Sequence, residues 1–273
     1  LAVFGSPVSQ SRSPAIHGMF ADQCGLDVDY RAIEATADTF APLVQELAAK
    51  GGLGCNITAP FKQQAWQLAR RDSSSARLAR AANTLVFERQ NDWYADNTDG
   101  RGLIQDLLVN LGRRVRDSRI CIIGAGGAAA GIMGDLIEQE PESITIANRT
   151  VERARELRGT FDSGLSTPVV SAMSLDDLGS ETAYDLIINA TSLGHQTLHP
   201  GLPESIFQSG SLCYDLNYGA AAEPLRIFCG EKGIRYEDGL GMLVEQAALS
   251  FELWTSRKPD TGPVLQAMRQ SSN

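Results

Sequence analysis

Short apolar runs alternate with helical stretches along the whole chain. The apolar residues 2–5 predict a strand, and 13–24 a helix with Pro14 in its first turn, where the missing N–H costs nothing. A strand over 30–35, a helix over 40–49 closed by Gly51, and a strand over 54–58 follow. A proline-opened helix is expected over 60–69, a small hairpin over 84–88 and 93–95, and a helix over 98–111. A second series begins at Arg119: strand 120–123, a glycine turn, helix 128–138, strand 143–147 and helix 151–161. Later come strands over 185–189 and 212–215 and a helix near 224–233. Strands alternating with helices predict parallel sheets and an α/β class. No repeat or low-complexity linker interrupts the pattern, and the polar, arginine-rich stretch 111–118 is the candidate break between the halves.

Composition narrows this picture. A chain of 273 residues suits two domains, and a hydrophobic fraction of 43% lets each bury a core. The net charge of -9 argues against nucleic acid as a partner, so any phosphate cleft must be a local basic spot. Five cysteines, Cys24, Cys55, Cys121, Cys213 and Cys229, form no CxxC pair and read as thiols in a reducing compartment. No secretory signal pattern and no apolar run of about 18 residues is visible, so a cytoplasmic protein without membrane contact is expected. His17, His195 and His199 are too dispersed for zinc, and no metal is expected.

The strongest local signal is Ile120-Cys-Ile-Ile-Gly-Ala-Gly-Gly-Ala-Ala-Ala130, an apolar strand, a glycine turn and a helix start. Gly124 permits the tight turn, Gly126 lets a pyrophosphate approach the backbone, and Ala129 allows close helix–strand packing. Gly127 and Ala128 open a helix whose free N–H groups and positive dipole end suit phosphate. About 20 residues on, an NAD-specific site would carry an acid for the ribose hydroxyl. This chain has Asn148-Arg149-Thr150, with Arg153 one helical turn later and Arg155 beyond. Guanidinium groups suit a 2′-phosphate, so the expected cofactor is NADP. Arg155 equally suits a solvated helix surface.

Three polar clusters mark the first hundred residues: Ser11-Arg-Ser13-Pro14, Asn56-Ile-Thr58-Ala-Pro60-Phe-Lys62 and Asp96-Asn-Thr-Asp99-Gly100. Hydroxyls, amides, one ammonium and one carboxylate at strand ends fit a small polyhydroxylated acid. Simpler roles are open for several of them. Ser11 and Ser13 could cap a helix, Asn56 and Asn83 could be turn residues, and Asp96 and Asp99 could serve helix starts.

These clusters, with the run from Gly5 to Pro14, Ala82-Asn-Thr-Leu85, the glycine turn, Asn148-Arg-Thr150, Asn189-Ala-Thr-Ser192 and Asp238-Gly-Leu-Gly-Met-Leu243, resemble the shikimate dehydrogenase family in its order over nearly the whole chain. The resemblance implies an N-terminal α/β substrate domain plus a Rossmann-type NADP-binding domain with a cleft between them. The substrate domain would be discontinuous, over 1–100 and 241–273, with 101–240 binding NADP. It implies that Ser11 and Ser13 hold a substrate carboxylate and that Tyr218 closes that end. Asn56, Thr58, Asn83 and Gln246 would bind ring hydroxyls, and Lys62 with Asp99 would flank the hydroxyl that is oxidised. Asn189, Thr191 and the turn carrying Gly239 and Met242 would border the nicotinamide. The substrate would be shikimate or 3-dehydroshikimate, and the protein a monomer or homodimer. Gln10 stands where the family often has His, and Ala59 where it often has Val; both suggest a divergent paralogue.

Reducing a ketone creates an alkoxide that must take a proton, and a lysine, ammonium at neutral pH, can supply it. A broader quinate/shikimate or amino-analogue dehydrogenase remains the nearest rival. A ligand sensor on the same fold is the rival from another class, against which the retention of both Lys62 and Asp99 argues.

Overall fold

The structure, a computed structural model, describes residues 1–88, 92–161, 169–179 and 183–271. The chain folds as two compact units, Leu1–Leu103 with Leu243–Asn273, and Ile104–Met242.

The first unit is built on a six-stranded sheet from β1 (Ala2–Gly5), β2 (Arg31–Glu34), β3 (Gly54–Ile57), β4 (Arg71–Asp72), β5 (Thr84–Val86) and β6 (Tyr94–Asp96), in the order β2-β1-β3-β5-β6-β4. β1 runs parallel to β2 and β3, whereas β5 is antiparallel to both β3 and β6. The sheet is therefore mixed, which corrects the expectation of parallel sheets for this half. The reason is local: β5 and β6 form a hairpin, and a hairpin turn can only reverse the chain.

Helices α1 (Ser13–Cys24), α2 (Phe40–Ala49), α3 (Lys62–Leu68) and α4 (Ser74–Ala79) connect these strands, and α5 (Asp99–Gln105) follows the last of them. Pro14 lies in the first turn of α1, and Gly25 closes it at φ 63. The core joins Phe4, Phe40, Ile57, Phe61 and Leu85, all buried. The chain returns through α9 (Leu240–Thr255) and α10 (Thr261–Gln270). Arg12 donates to Met268 O at 3.2 Å and Gln23 to Asp260 O at 3.1 Å, tying α1 to the end of the chain. Trp254 donates to Leu85 O at 2.9 Å, and Phe251 is fully buried, so both serve the core. α5 packs on α9 at Gly102, where a Cβ would stand 2.8 Å from Gln246 N; only glycine allows that approach.

The expected helix over 98–111 is α5 followed by a π-helical stretch, Asp106–Asn110, in which Leu111 N–H reaches Asp106 O at 3.0 Å. The stretch 111–118 lies inside the second unit, and the chain passes between units earlier, after Leu103.

The second unit is a fully parallel sheet of β7 (Arg119–Ile123), β8 (Ser143–Asn148), β9 (Val169–Ser174), β10 (Tyr184–Asn189), β11 (Phe207–Asp215) and β12 (Arg235–Glu237), ordered β12-β11-β10-β7-β8-β9. α6 (Gly127–Glu138), α7 (Val151–Phe161) and α8 (Glu223–Glu231) connect it. Ile120, Ile122 and Ile123 are fully buried, as strands covered on both faces require. The strand order reverses between β7 and β10, and ligands of such sheets bind beyond the strand C-termini at that point. All five cysteines are free, and four of them are buried. No helix among the described residues is long and apolar enough to cross a membrane.

Candidate active site

In the first unit, the polar clusters converge on Asn83, which sits just before β5 and is 2% exposed. Its Nδ2 donates to Thr98 Oγ1 at 2.8 Å, Asp99 Oδ1 at 2.8 Å and Gln246 Oε1 at 3.1 Å. Its Oδ1 accepts from Thr98 N–H and the Thr84 hydroxyl, both at 2.9 Å. Asp99 opens α5, with its N–H bonded to Asn97 Oδ1 at 3.1 Å. Its second oxygen, Oδ2, holds the Lys62 ammonium in an ion pair whose side chains are 19% and 9% exposed. Lys62 opens α3, where a cation faces the positive end of the helix dipole; the Asp99 carboxylate offsets that. The pair is nearly dry, yet Lys62 keeps a solvent-facing side.

Asn56 lies within β3, so it is not a turn residue. Its Nδ2 donates to Asn83 O at 3.1 Å and to Ser250 Oγ at 3.0 Å, which turns Oδ1 toward Tyr30 and His17. The Tyr30 hydroxyl donates to that oxygen at 2.7 Å, and His17 Nε2 lies 3.2 Å from it. His17 must therefore donate from Nε2. Its ring stacks on Tyr30 at 4.3 Å, and its Nδ1 is buried without a partner. Burial pushes its pKa down to about 3, against a weaker raising effect of the Asn56 bond, so the ring is neutral. Tyr30 also bonds the Ser13 side chain, and burial raises its hydroxyl well above the usual range.

Ser13 is buried and opens α1, while Ser11 is half-buried and accepts from Ser13 N–H at 3.3 Å. Neither caps the helix, whose N-cap is Arg12. Thr58 is half-buried beyond β3, its N–H on Phe4 O at 2.8 Å. Gln246, on α9, turns its Nε2 to Leu243 O at 2.8 Å, leaving Oε1 to Asn83. Asp96 pairs with Arg101 at 2.5 Å and is 2% exposed, a structural role. Gln10 and Ala59 are exposed.

In the second unit, Gly124 turns at φ +106, with Ala190 O 3.1 Å and Thr191 Cγ2 3.2 Å from where a Cβ would stand. Gly126 and Gly127 are exposed, and a Cβ on either would meet nothing within 4 Å. Ala128 is half-buried, and Ala129 packs fully buried under the turn. The start of α6 thus offers open space, free N–H groups and no acidic residue in its first turn, which fits a pyrophosphate. Asn148 ends β8 and donates to Thr150 O at 2.8 Å, leaving Arg149, Thr150 and Arg153 exposed. Arg155 pairs with Glu152 at 3.8 Å on the solvated face of α7. An exposed Arg149 and Arg153 beside a turn without an acid at the strand end fit a 2′-phosphate.

Asn189 and Thr191 form part of a closed hydrogen-bonded ring. Asn189 Oδ1 accepts from Thr191 N–H at 3.1 Å and Oγ1 at 2.8 Å, and its Nδ2 donates to Asp215 Oδ1 at 2.9 Å. Asn217 N–H and Nδ2 reach the same Asp215 oxygen at 3.0 and 2.8 Å, and Nδ2 also reaches Thr191 O at 2.9 Å. Burial raises the Asp215 pKa to about 6, against the hydrogen bonds from Asn217, Asn189 and Tyr236 that lower it. Gly239 donates to Asn217 O at 2.9 Å and has Leu216 O 2.4 Å from its would-be Cβ. Met242 is buried in α9, and Tyr218 is half-buried at the start of the turn Gly219–Ala221. Tyr218 belongs to the second unit, while the other expected substrate residues belong to the first.

Thr84, Thr98, Ser250, Tyr30, Asp215 and Asn217 are not singled out as site residues by the sequence. Ser250 carries a signal, since it stands four residues after Gln246 on one helix face. Thr98 lies within one of the polar clusters. Tyr30 carries none.

A parallel sheet with a glycine turn opening α6, and a second unit-sized α/β body holding a lysine–aspartate pair, define a dinucleotide-dependent dehydrogenase class. Family models match as the shikimate dehydrogenase substrate binding domain over residues 3–85, shikimate/quinate 5-dehydrogenase over 107–216, and the shikimate 5'-dehydrogenase C-terminal domain over 239–269. Shikimate dehydrogenase (NADP(+)) of Nitrosospira multiformis is 46% identical over 271 residues, 99% of this chain and 97% of that protein. The crystal structure of an Ael1 enzyme from Pseudomonas putida is 39% identical, with TM-score 0.88 over 97% of this chain and 96% of that one. Shikimate 5-dehydrogenase from Thermus thermophilus, in complex with NADP(H) and shikimate, is 27% identical, with TM-score 0.82 over 99% and 98%. The chain belongs to the shikimate dehydrogenase family.

Proposed function

We propose that this protein catalyses the NADP-dependent interconversion of shikimate and 3-dehydroshikimate, within aromatic amino acid and chorismate biosynthesis. The observation that carries the reading is the Lys62–Asp99 pair oriented by Asn83, in a chain 46% identical to a relative of that activity. Ser11 and Ser13 offer hydroxyls to the substrate carboxylate. Thr58 and Gln246 meet the ring hydroxyls, and Asn56 and Asn83, whose amides are bonded to protein partners, would join them by exchanging one of those bonds. A polyol acid held by fixed donors is discriminated from analogues that lack a hydroxyl, because the protein's own polar groups would then go unpaired.

The glycine turn with Arg149 and Arg153 would hold the cofactor, which would supply the hydride as NADPH and accept it as NADP+. Lys62 handles the proton. In reduction its ammonium donates to the oxygen that gains negative charge; in oxidation the neutral amine takes the hydroxyl proton. Asp99, ion-paired with Lys62, holds the Lys62 side chain in place at the reacting oxygen. A reducing cytoplasmic setting is supported by five free thiols, and the net charge of -9 argues against nucleic acid as a partner.

The test is NADPH formation from shikimate and NADP, with quinate and NAD as parallel arms, on wild type and Lys62→Ala. Activity confined to shikimate with NADP and lost in the variant is the expected result. Equal rates with quinate would overturn the substrate assignment, and absence of turnover in every arm would overturn the enzymatic one.

A further inference from the structure

We propose that Asp215 is a positioning residue of the dinucleotide site: its buried carboxylate fixes the amides of Asn189 and Asn217, and through them the segment 190–191 that lies against the glycine turn. The inference rests on the NADP-dependent reading above.

The geometry runs in one direction. An ionised carboxylate only accepts hydrogen bonds. Asp215 Oδ1 receives Asn189 Nδ2 at 2.9 Å, Asn217 N–H at 3.0 Å and Asn217 Nδ2 at 2.8 Å. Each amide is thereby turned. Asn189 must present its oxygen to the N–H and hydroxyl of Thr191, and Asn217 its remaining hydrogen to Thr191 O. Leu216 N–H closes on Asn189 O at 2.9 Å, so the ends of β10 and β11 are stitched at the same level. The segment so held places Ala190 O and Thr191 Cγ2 against Gly124, and Ala190 N–H on Ile123 O at 2.8 Å. A shift of this segment would change the floor of the turn that must receive a pyrophosphate. Asp215 itself is fully buried and faces no solvent, so its effect on any ligand passes through these neighbours.

The side chain of asparagine could replace that of Asp215. Its oxygen would keep the three N–H donors, and its amide would face the Tyr236 hydroxyl, 3.4 Å from Oδ2, which itself donates to Ala222 O at 3.1 Å. Alanine would leave three inward N–H groups without an acceptor.

Wild type, Asp215→Asn, Asp215→Ala and Asn217→Ala are compared by fluorescence titration with NADPH and by KM for NADP and for shikimate. Asp215→Ala and Asn217→Ala are expected to weaken NADPH binding about tenfold, with KM for shikimate within about twofold of wild type. Asp215→Asn is expected to recover most of that loss. Unchanged NADPH affinity in the two alanine variants, or parallel losses toward both ligands, would overturn the proposal. Asn217→Ala decides the case if Asp215→Ala does not fold, because Asn217 is only half-buried and lies outside the strand. The titration needs no turnover. Wild type that binds NADPH but does not oxidise shikimate would refute the function reading alone, and wild type that does not bind NADPH would refute both.

Discussion

Asn83 donates an amide hydrogen to Asp99 Oδ1 at 2.8 Å, while Lys62 occupies the other oxygen of the same carboxylate. The amide therefore decides how Asp99 presents itself to Lys62. Because Asn83 is buried, removing its side chain leaves Thr98 N–H and an Asp99 lone pair without their partner. Asn83→Ala is expected to lower kcat by about tenfold to a hundredfold. Steady-state kinetics check this, and an unchanged kcat would show that Asp99 needs no such support.

Arg149 is exposed at the end of β8 and stands where an NAD site would carry an acid. Arg149→Ala is expected to raise KM for NADP about tenfold and to leave KM for NAD nearly unchanged. A matched rise for both cofactors would remove it from recognition of the 2′-phosphate.

His17 is neutral in the folded protein because burial depresses its pKa from 6.5 to about 3. In the unfolded chain it takes a proton as the pH falls through the ordinary value. The stability it contributes is present above about pH 6.5 and is lost progressively toward pH 3. Denaturant unfolding across that range should show falling stability, and a less steep fall in His17→Gln. Equal slopes in the two proteins would contradict a neutral buried ring.

Asp215 has the opposite sign. Its pKa is raised from 3.8 to about 6, so the folded state holds the proton more tightly than the unfolded one. The stability from this group is present below about pH 3.8 and is lost as pH rises through about 6. Asp215→Asn lacks that loss and should gain stability over wild type above pH 6, on the order of 3 kcal/mol. Parallel stability profiles of the two proteins between pH 4 and pH 7 would contradict the raised value.

These residues also mark how far the sequence can be read. The β7–turn–α6 unit is legible because strand, glycines and helix start are contiguous, and each glycine has a local reason. Lys62 and Asp99 are legible as chemistry-bearing residues at helix starts, and the family resemblance pairs them. The β5–β6 pair is legible as the expected hairpin, but the rest of the mixed order of the first sheet is not, since a three-residue strand such as β5 carries no periodicity that fixes its second partner. The two-residue β4, the six-residue α4 and the three-residue β12 escape the pattern because they too are short, and β9 is not among the expected strands either. Ser250 bonds Asn56 across 194 positions, and Asp215 joins Asn189 across 26; such rings exist only once the strands are aligned. The π-helical stretch after α5 keeps an ordinary helical pattern, so nothing in its residues announces it.

The most direct test of Lys62 as the proton carrier is the pH dependence of shikimate oxidation at saturating NADP, in wild type and Lys62→Ala. Oxidation needs the amine free of its proton, so the wild-type rate should climb above neutral pH, while the reverse reduction declines. Lys62→Ala should lose about a hundredfold or more in rate and show no such climb. A wild-type oxidation rate that stays flat between about pH 7 and 10 would contradict the account.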